Sequence, residues 1–88
     1  MPKFMSSHTM PPGALKQEQV DQLAKAAQND PVVKPYRSFL NLSDGKIVCI
    51  MEAPTKDALA GWFKKMQMPC DYITPVELEG DCGVVKKT

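Results

Sequence analysis

Residues Lys46-Ile47-Val48-Cys49-Ile50-Met51-Glu52-Ala53-Pro54 constrain the fold more than any other part of the chain. The turn formers Ser43-Asp44-Gly45 lead into this stretch, and a helical pattern opening at Thr55 follows it. Its apolar residues occupy both alternating sets, with Val48 and Ile50 on one and Ile47, Cys49 and Met51 on the other. A strand that is apolar on both faces belongs in a sheet whose two sides are both covered. A chain of 88 residues covers one side with its own helices, so the second side calls for a partner molecule.

The composition, 43% hydrophobic and 24% charged, is that of an ordinary globular domain. A net charge of +1 with interspersed signs offers no phosphate-tracking surface, which argues against nucleic-acid binding. The apolar runs are too short to span a bilayer, and no basic region followed by an apolar core stands at the N-terminus, so a cytoplasmic protein without a membrane role is expected. Cys49, Cys70 and Cys82 are odd in number and lack CxxC spacing, against a disulfide framework or a zinc knuckle. Six methionines read most simply as adaptable core packing.

Lys3 to Thr9 alternates Phe4, Ser6 and His8 against Met5, Ser7 and Thr9 and predicts a first strand, ended by Pro11-Pro12-Gly13. Val20, Leu23, Ala24 and Ala27 form the apolar stripe of a helix from about Lys16 to Gln28, stopped by Asn29-Asp30-Pro31. A second strand, Tyr36 to Leu42, joins the third through Ser43-Asp44-Gly45, a strong hairpin signal. Thr55 is a good N-cap for a second helix whose buried stripe is Ala58, Leu59, Trp62, Phe63 and Met66. Cys70 to Leu78 reads as a fourth strand, with Pro75 implying an edge or a bulge. One domain over residues 1–79 is expected, then a tail, 80–88, either a short strand through Val84 and Val85 or without structure.

This order predicts an α+β, ferredoxin-like βαββαβ fold: a four-stranded antiparallel sheet with two helices on one face. Right-handed crossovers are expected to set the first and third strands side by side at the centre and parallel, with the second and fourth outside them. A homodimer through the open sheet face is then the simplest way to cover it. Parallel central strands would also gather His8 and Glu52 at one edge, with Tyr36 and Arg37 beside Glu52, and Cys70 and Asp71 beside His8. His8, Glu52, Cys70 and Asp71 are competent ligands for Ni or Zn, and Tyr36 and Arg37 would border a bound cofactor or ligand. Plainer alternatives are a hydrogen-bonded His8, a Glu52–Arg37 ion pair and a packed Cys70. The same groups are also suited to acid–base work.

The strand end Cys49-Ile50-Met51-Glu52-Ala53-Pro54, with Met68-Pro69 after the following helix, resembles a small bacterial family of uncharacterised ferredoxin-like proteins, one branch of which is described as nickel-binding. Met1-Pro2-Lys3-Phe4-Met5, His8, Pro12-Gly13 and Gln17-Glu18-Gln19-Val20 look similar to the same family. The resemblance runs from about residue 2 to residue 78. It implies a homodimer that binds a divalent metal, with His8 and Glu52 at matching metal-capable positions. Relatives that carry histidine in or just after the second helix have no counterpart in Phe63-Lys64-Lys65-Met66-Gln67.

The reading that follows is a small non-catalytic homodimer that binds a divalent, nickel-like metal or a small ligand at the strand-end edge. The alternative is an enzyme, similar to the dimeric ferredoxin-like barrel monooxygenases and isomerases, acting on a small aromatic compound in a cavity lined by Tyr36, Phe39, Trp62 and Phe63.

Overall fold

A computed structural model describes residues 1–88. Strand β1 (Lys3–Thr9) is followed by helix α1 (Gln17–Asn29), the hairpin β2 (Lys34–Asn41) and β3 (Lys46–Glu52), helix α2 (Lys56–Lys65), and strands β4 (Tyr72–Pro75), β5 (Leu78–Asp81) and β6 (Val84–Lys87). The protein is α+β, with a four-stranded sheet of order β2-β3-β1-β4 and a separate β5-β6 hairpin.

Every neighbouring pair in the large sheet is antiparallel. β1 and β3 do lie together at the centre, but they run in opposite directions, which corrects the expectation of parallel neighbours. The reason is connectivity: a crossover through α1 brings β2 back in the direction of β1, and the tight turn after β2 must then reverse β3. Lys3 is thereby opposite Glu52, and His8 opposite Ile47.

Register sorts the side chains into rows across the sheet. The helix-facing rows are Leu40–Ile47–His8, Ser38–Cys49–Ser6–Ile73 and Pro35–Met51–Phe4. Phe4, Met51, Val33 and Ala53 pack there with Ala27 of α1 and Leu59, Trp62 and Phe63 of α2, so one core joins both helices to one face of the sheet. The opposite face carries the rows Phe39–Val48–Ser7–Tyr72 and Arg37–Ile50–Met5–Thr74. Phe39 is 62% exposed and Tyr72 47%.

α2 starts as its sequence predicts, with Thr55 Oγ1 accepting the Ala58 N–H at 3.1 Å. α1 seats less completely: of its predicted stripe only Ala27 is buried, while Val20 and Leu23 are half-buried and Ala24 is exposed. The fourth strand is shorter than expected and gives way to β5, and of the two alternatives for the tail the short strand through Val84 and Val85 is present, as β6. Cys82 and Gly83 form the two-residue turn between them, both with positive φ, the geometry that matches hairpin twist.

Gly45 closes the β2–β3 turn at φ +71°, buried, with its carbonyl accepting the Met10 N–H at 2.8 Å. A Cβ at this position would land on the Met10 carbonyl. Gly45→Ala is therefore expected to destabilise the protein by at least about 2 kcal/mol, combining left-handed backbone strain with a backbone clash. Urea unfolding of the two proteins measures this difference.

Candidate functional site

The antiparallel centre splits the expected cluster in two. His8, Pro69, Cys70 and Asp71 meet at one end of the sheet, where Asp71 N–H donates to the Ser7 carbonyl at 2.7 Å. Glu52 lies at the other end, opposite Lys3 in β1 and Lys34 in β2. Tyr36 and Arg37 are near that second end, where the β2–β3 register shifts by one residue.

His8 points into the core because it alternates with Ser6 and Phe4, and it is fully buried. Its Nδ1 lies 2.9 Å from the Pro69 carbonyl, an acceptor only, so Nδ1 carries the proton. Nε2, 2.9 Å from Ser6 Oγ, must then accept from that hydroxyl. The ring packs against Phe63 with centroids 4.5 Å apart. Burial pushes its pKa below the ordinary histidine value, against smaller opposing effects of the Pro69 carbonyl and Asp71. Both ring nitrogens are occupied, and the imidazole is held neutral as a satisfied core group.

Asp71 is exposed and accepts from Thr9 Oγ1 at 2.7 Å and Ser7 Oγ at 3.2 Å. The Thr9 bond is the larger of the two influences holding its carboxyl below the usual range. Cys70 is exposed, and burial nonetheless raises its thiol pKa. At the other end Glu52 makes no ion pair with Arg37; the salt bridge in the structure joins Lys3 Nζ to Glu79 at 2.7 Å. The Tyr36 hydroxyl donates to the same Glu79, and Lys3 Nζ stands 3.9 Å from the centre of the Tyr36 ring. Arg37 lies 5.8 Å from that ring. This group ties the β5-β6 hairpin to the open face of the sheet. No three His, Cys, Asp or Glu side chains are grouped so as to hold a metal ion.

A different site lies between α1 and the sheet. It is an apolar cleft of about 80 Å³. Its floor is the small pair Ser38 and Cys49, cross-strand partners set between the bulkier Leu40–Ile47 and Pro35–Met51 pairs. Val20, Leu23, Ala24 and Ala27 form the roof, and Trp62, Phe63 and Met68 close one side. Burial raises the Cys49 thiol pKa, with the Ser38 hydroxyl opposing that shift. Sequence reasoning missed Ser38; the signal was a small polar residue between apolar ones on the helix-facing side of β2. Neither His8 nor Glu52 borders this cleft, and of the aromatic residues expected around a cavity only Trp62 and Phe63 do. Tyr36 and Phe39 face the open side.

The family model for the nickel responsive protein SCO4226-like family matches residues 4–76. The chain belongs to that family. It is also similar to the crystal structure of SCO4226 from Streptomyces coelicolor A3(2), with a TM-score of 0.72 and 24% identity over 89% of this chain and 99% of that one. At that identity the likeness is one of fold. No curated protein matches the chain. The nickel in the family description makes the fit of this chain's donors a direct question, and within one copy they do not fit: His8 has no free nitrogen, and Glu52 is at the far end of β3.

The buried neutral imidazole sets a pH dependence. The folded-state pKa of His8 lies below the unfolded value near 6.5, so the unfolded chain takes up the proton more readily. Its contribution to stability is complete above about pH 6.5 and is lost as pH falls from there toward the folded pKa. Asp71 and Glu79, both lowered, lose theirs only at more acid pH, below their ordinary values of 3.8 and 4.5. Urea midpoints are expected to fall between pH 7 and pH 5 in the natural protein and to vary less over that range in His8→Gln.

Proposed function

We propose that this member of the nickel-responsive family works as a small, non-catalytic homodimeric binding protein of ferredoxin-like topology. The observation that carries the reading is the apolar open face of the sheet. Phe39 and Val48 stand side by side in one row, with Tyr72 beyond Ser7, and Ile50 and Met5 lie in the next. A contiguous apolar surface of this kind marks an interface. Strands of eight, seven, seven and four residues, about 4.8 Å apart, present a plane of roughly 400 Å². Two such faces fall short of the roughly 1,200 Å² of total buried area at which stable interfaces begin, so the hairpin must contribute. Leu78 does so in this reading: it stands beside Met5, Phe39 and Ile50 around a hollow of about 190 Å³ between hairpin and sheet. The second copy fills that hollow.

The non-catalytic part of the reading rests on His8, whose nitrogens are both committed to structural bonds, and on a cleft whose lining holds no histidine, carboxylate or amine side chain. The divalent-metal part is confined to the exposed pair Cys70 and Asp71. Two donors do not complete a nickel or zinc coordination sphere, so metal bound there draws further donors from a second molecule and binds weakly.

Sedimentation equilibrium is expected to give twice the 9.7 kDa of one chain. Phe39→Lys, at a position too exposed to matter for folding, should return the mass to that of a monomer; a monomeric natural protein would refute the dimer. In equilibrium dialysis against Ni²⁺, Cys70→Ala and Asp71→Asn should each reduce bound metal, and His8→Gln should leave it unchanged.

A further inference from the structure

We propose that the cleft between α1 and the sheet is a binding site for a small, neutral aliphatic molecule carrying one hydroxyl or carbonyl group. This site is separate from both the open sheet face and the Cys70–Asp71 edge.

The cleft follows from the side chains beneath it. Across β2 and β3 the middle helix-facing pair is Ser38 and Cys49, while the pairs on either side are Leu40–Ile47 and Pro35–Met51. Small side chains between large ones make a trough. α1 spans that trough without filling it, which is why Val20 and Leu23 stay half-buried and Ala24 exposed on the face of the helix turned toward the sheet. Apolar side chains left partly wet beside the core represent hydrophobic free energy that an apolar guest would recover. Every residue of β2 is exposed, so the cleft opens along that edge of the sheet.

The lining selects the guest. None of its fourteen residues is charged, so an ion entering would be desolvated without a partner. This rules against carboxylates and cations, nickel included. The volume, about 80 Å³, is roughly half that of an engineered apolar cavity that admits benzene. A short aliphatic chain of about three carbons suits it better than a ring. The Ser38 hydroxyl and Cys49 thiol at the floor supply one hydrogen-bonding position for the polar group of the guest, with the hydroxyl the stronger partner.

The test uses 1-propanol, propanoate and benzene as probes, followed by amide chemical shifts of the full chain. 1-Propanol is expected to produce saturable shifts confined to Leu23, Ser38, Cys49 and their neighbours. Propanoate and benzene should bind more weakly. Ser38→Ala should weaken 1-propanol by about two- to tenfold, the effect of one hydrogen bond. Ala24→Phe places a ring at the roof from an exposed position and should abolish saturation while the rest of the spectrum stays dispersed. Non-saturating shifts, shifts centred on Phe39, Val48 and Tyr72, or 1-propanol binding unaltered by both substitutions would overturn the proposal. Because the Phe39→Lys monomer keeps the cleft, repeating the titration on it separates failure of this site from failure of the dimer.

Discussion

The antiparallel pairing of β1 with β3 is the constraint on which the rest of the molecule depends. With Ser6 set opposite Cys49, that register turns Phe4, Ser6 and His8 inward together with Ile47, Cys49 and Met51. The helices then have one apolar surface to cover. The same register sends Met5, Val48 and Ile50 to the other side, where this chain has only a short hairpin to offer. A slip of one residue would exchange the two sets and bury Lys3 and Lys46 against the helices, so the register is strongly specified.

A polar cost accompanies this arrangement, because β1 carries a serine and a histidine into the core. Each answers the other: the Ser6 hydroxyl donates to His8, and His8 donates to a carbonyl that the turn after α2 delivers. No buried side-chain nitrogen or oxygen is left without a partner. Removing either member would strand the other at a cost of about 1–3 kcal/mol. His8 thus works as a fastener between β1 and the segment that starts β4, and this fixes where Cys70 and Asp71 emerge at the surface.

Much of the fold was legible in local pattern. β1 has the bounds its alternation predicts, the second helix begins at the Thr55 cap, and the two-sided apolar strand is central. Strand direction is legible as well: the crossover rule makes β2, not β3, parallel to β1, and the tight Ser43-Asp44-Gly45 turn then forces β3 to oppose β1. Taking β3 as parallel to β1 is what joined His8 to Glu52; the pairing of His8 with the Cys70–Asp71 segment survives because β4 runs opposite to β1. A strand through Val84 and Val85 is legible, but its pairing with β5 is not, because a Cys82-Gly83 turn is a weaker signal than Asn-Gly and both strands are only four residues long. The cleft could not be read from periodicity. The stripe Val20, Leu23, Ala24 and Ala27 looks equally good whether the floor beneath it is full or hollow, and only the cross-strand meeting of Ser38 with Cys49 decides that.

Membership of a nickel-responsive family and a buried, fully engaged histidine are compatible once the imidazole is seen as architecture and the exposed edge as the place for any ion. Long-range ¹H–¹⁵N NMR of the His8 ring, recorded with and without Ni²⁺, tests this most directly. A proton on Nδ1, a bare Nε2 and no change when nickel is added are expected. A proton on Nε2, or loss of the ring signals on nickel addition, would contradict it.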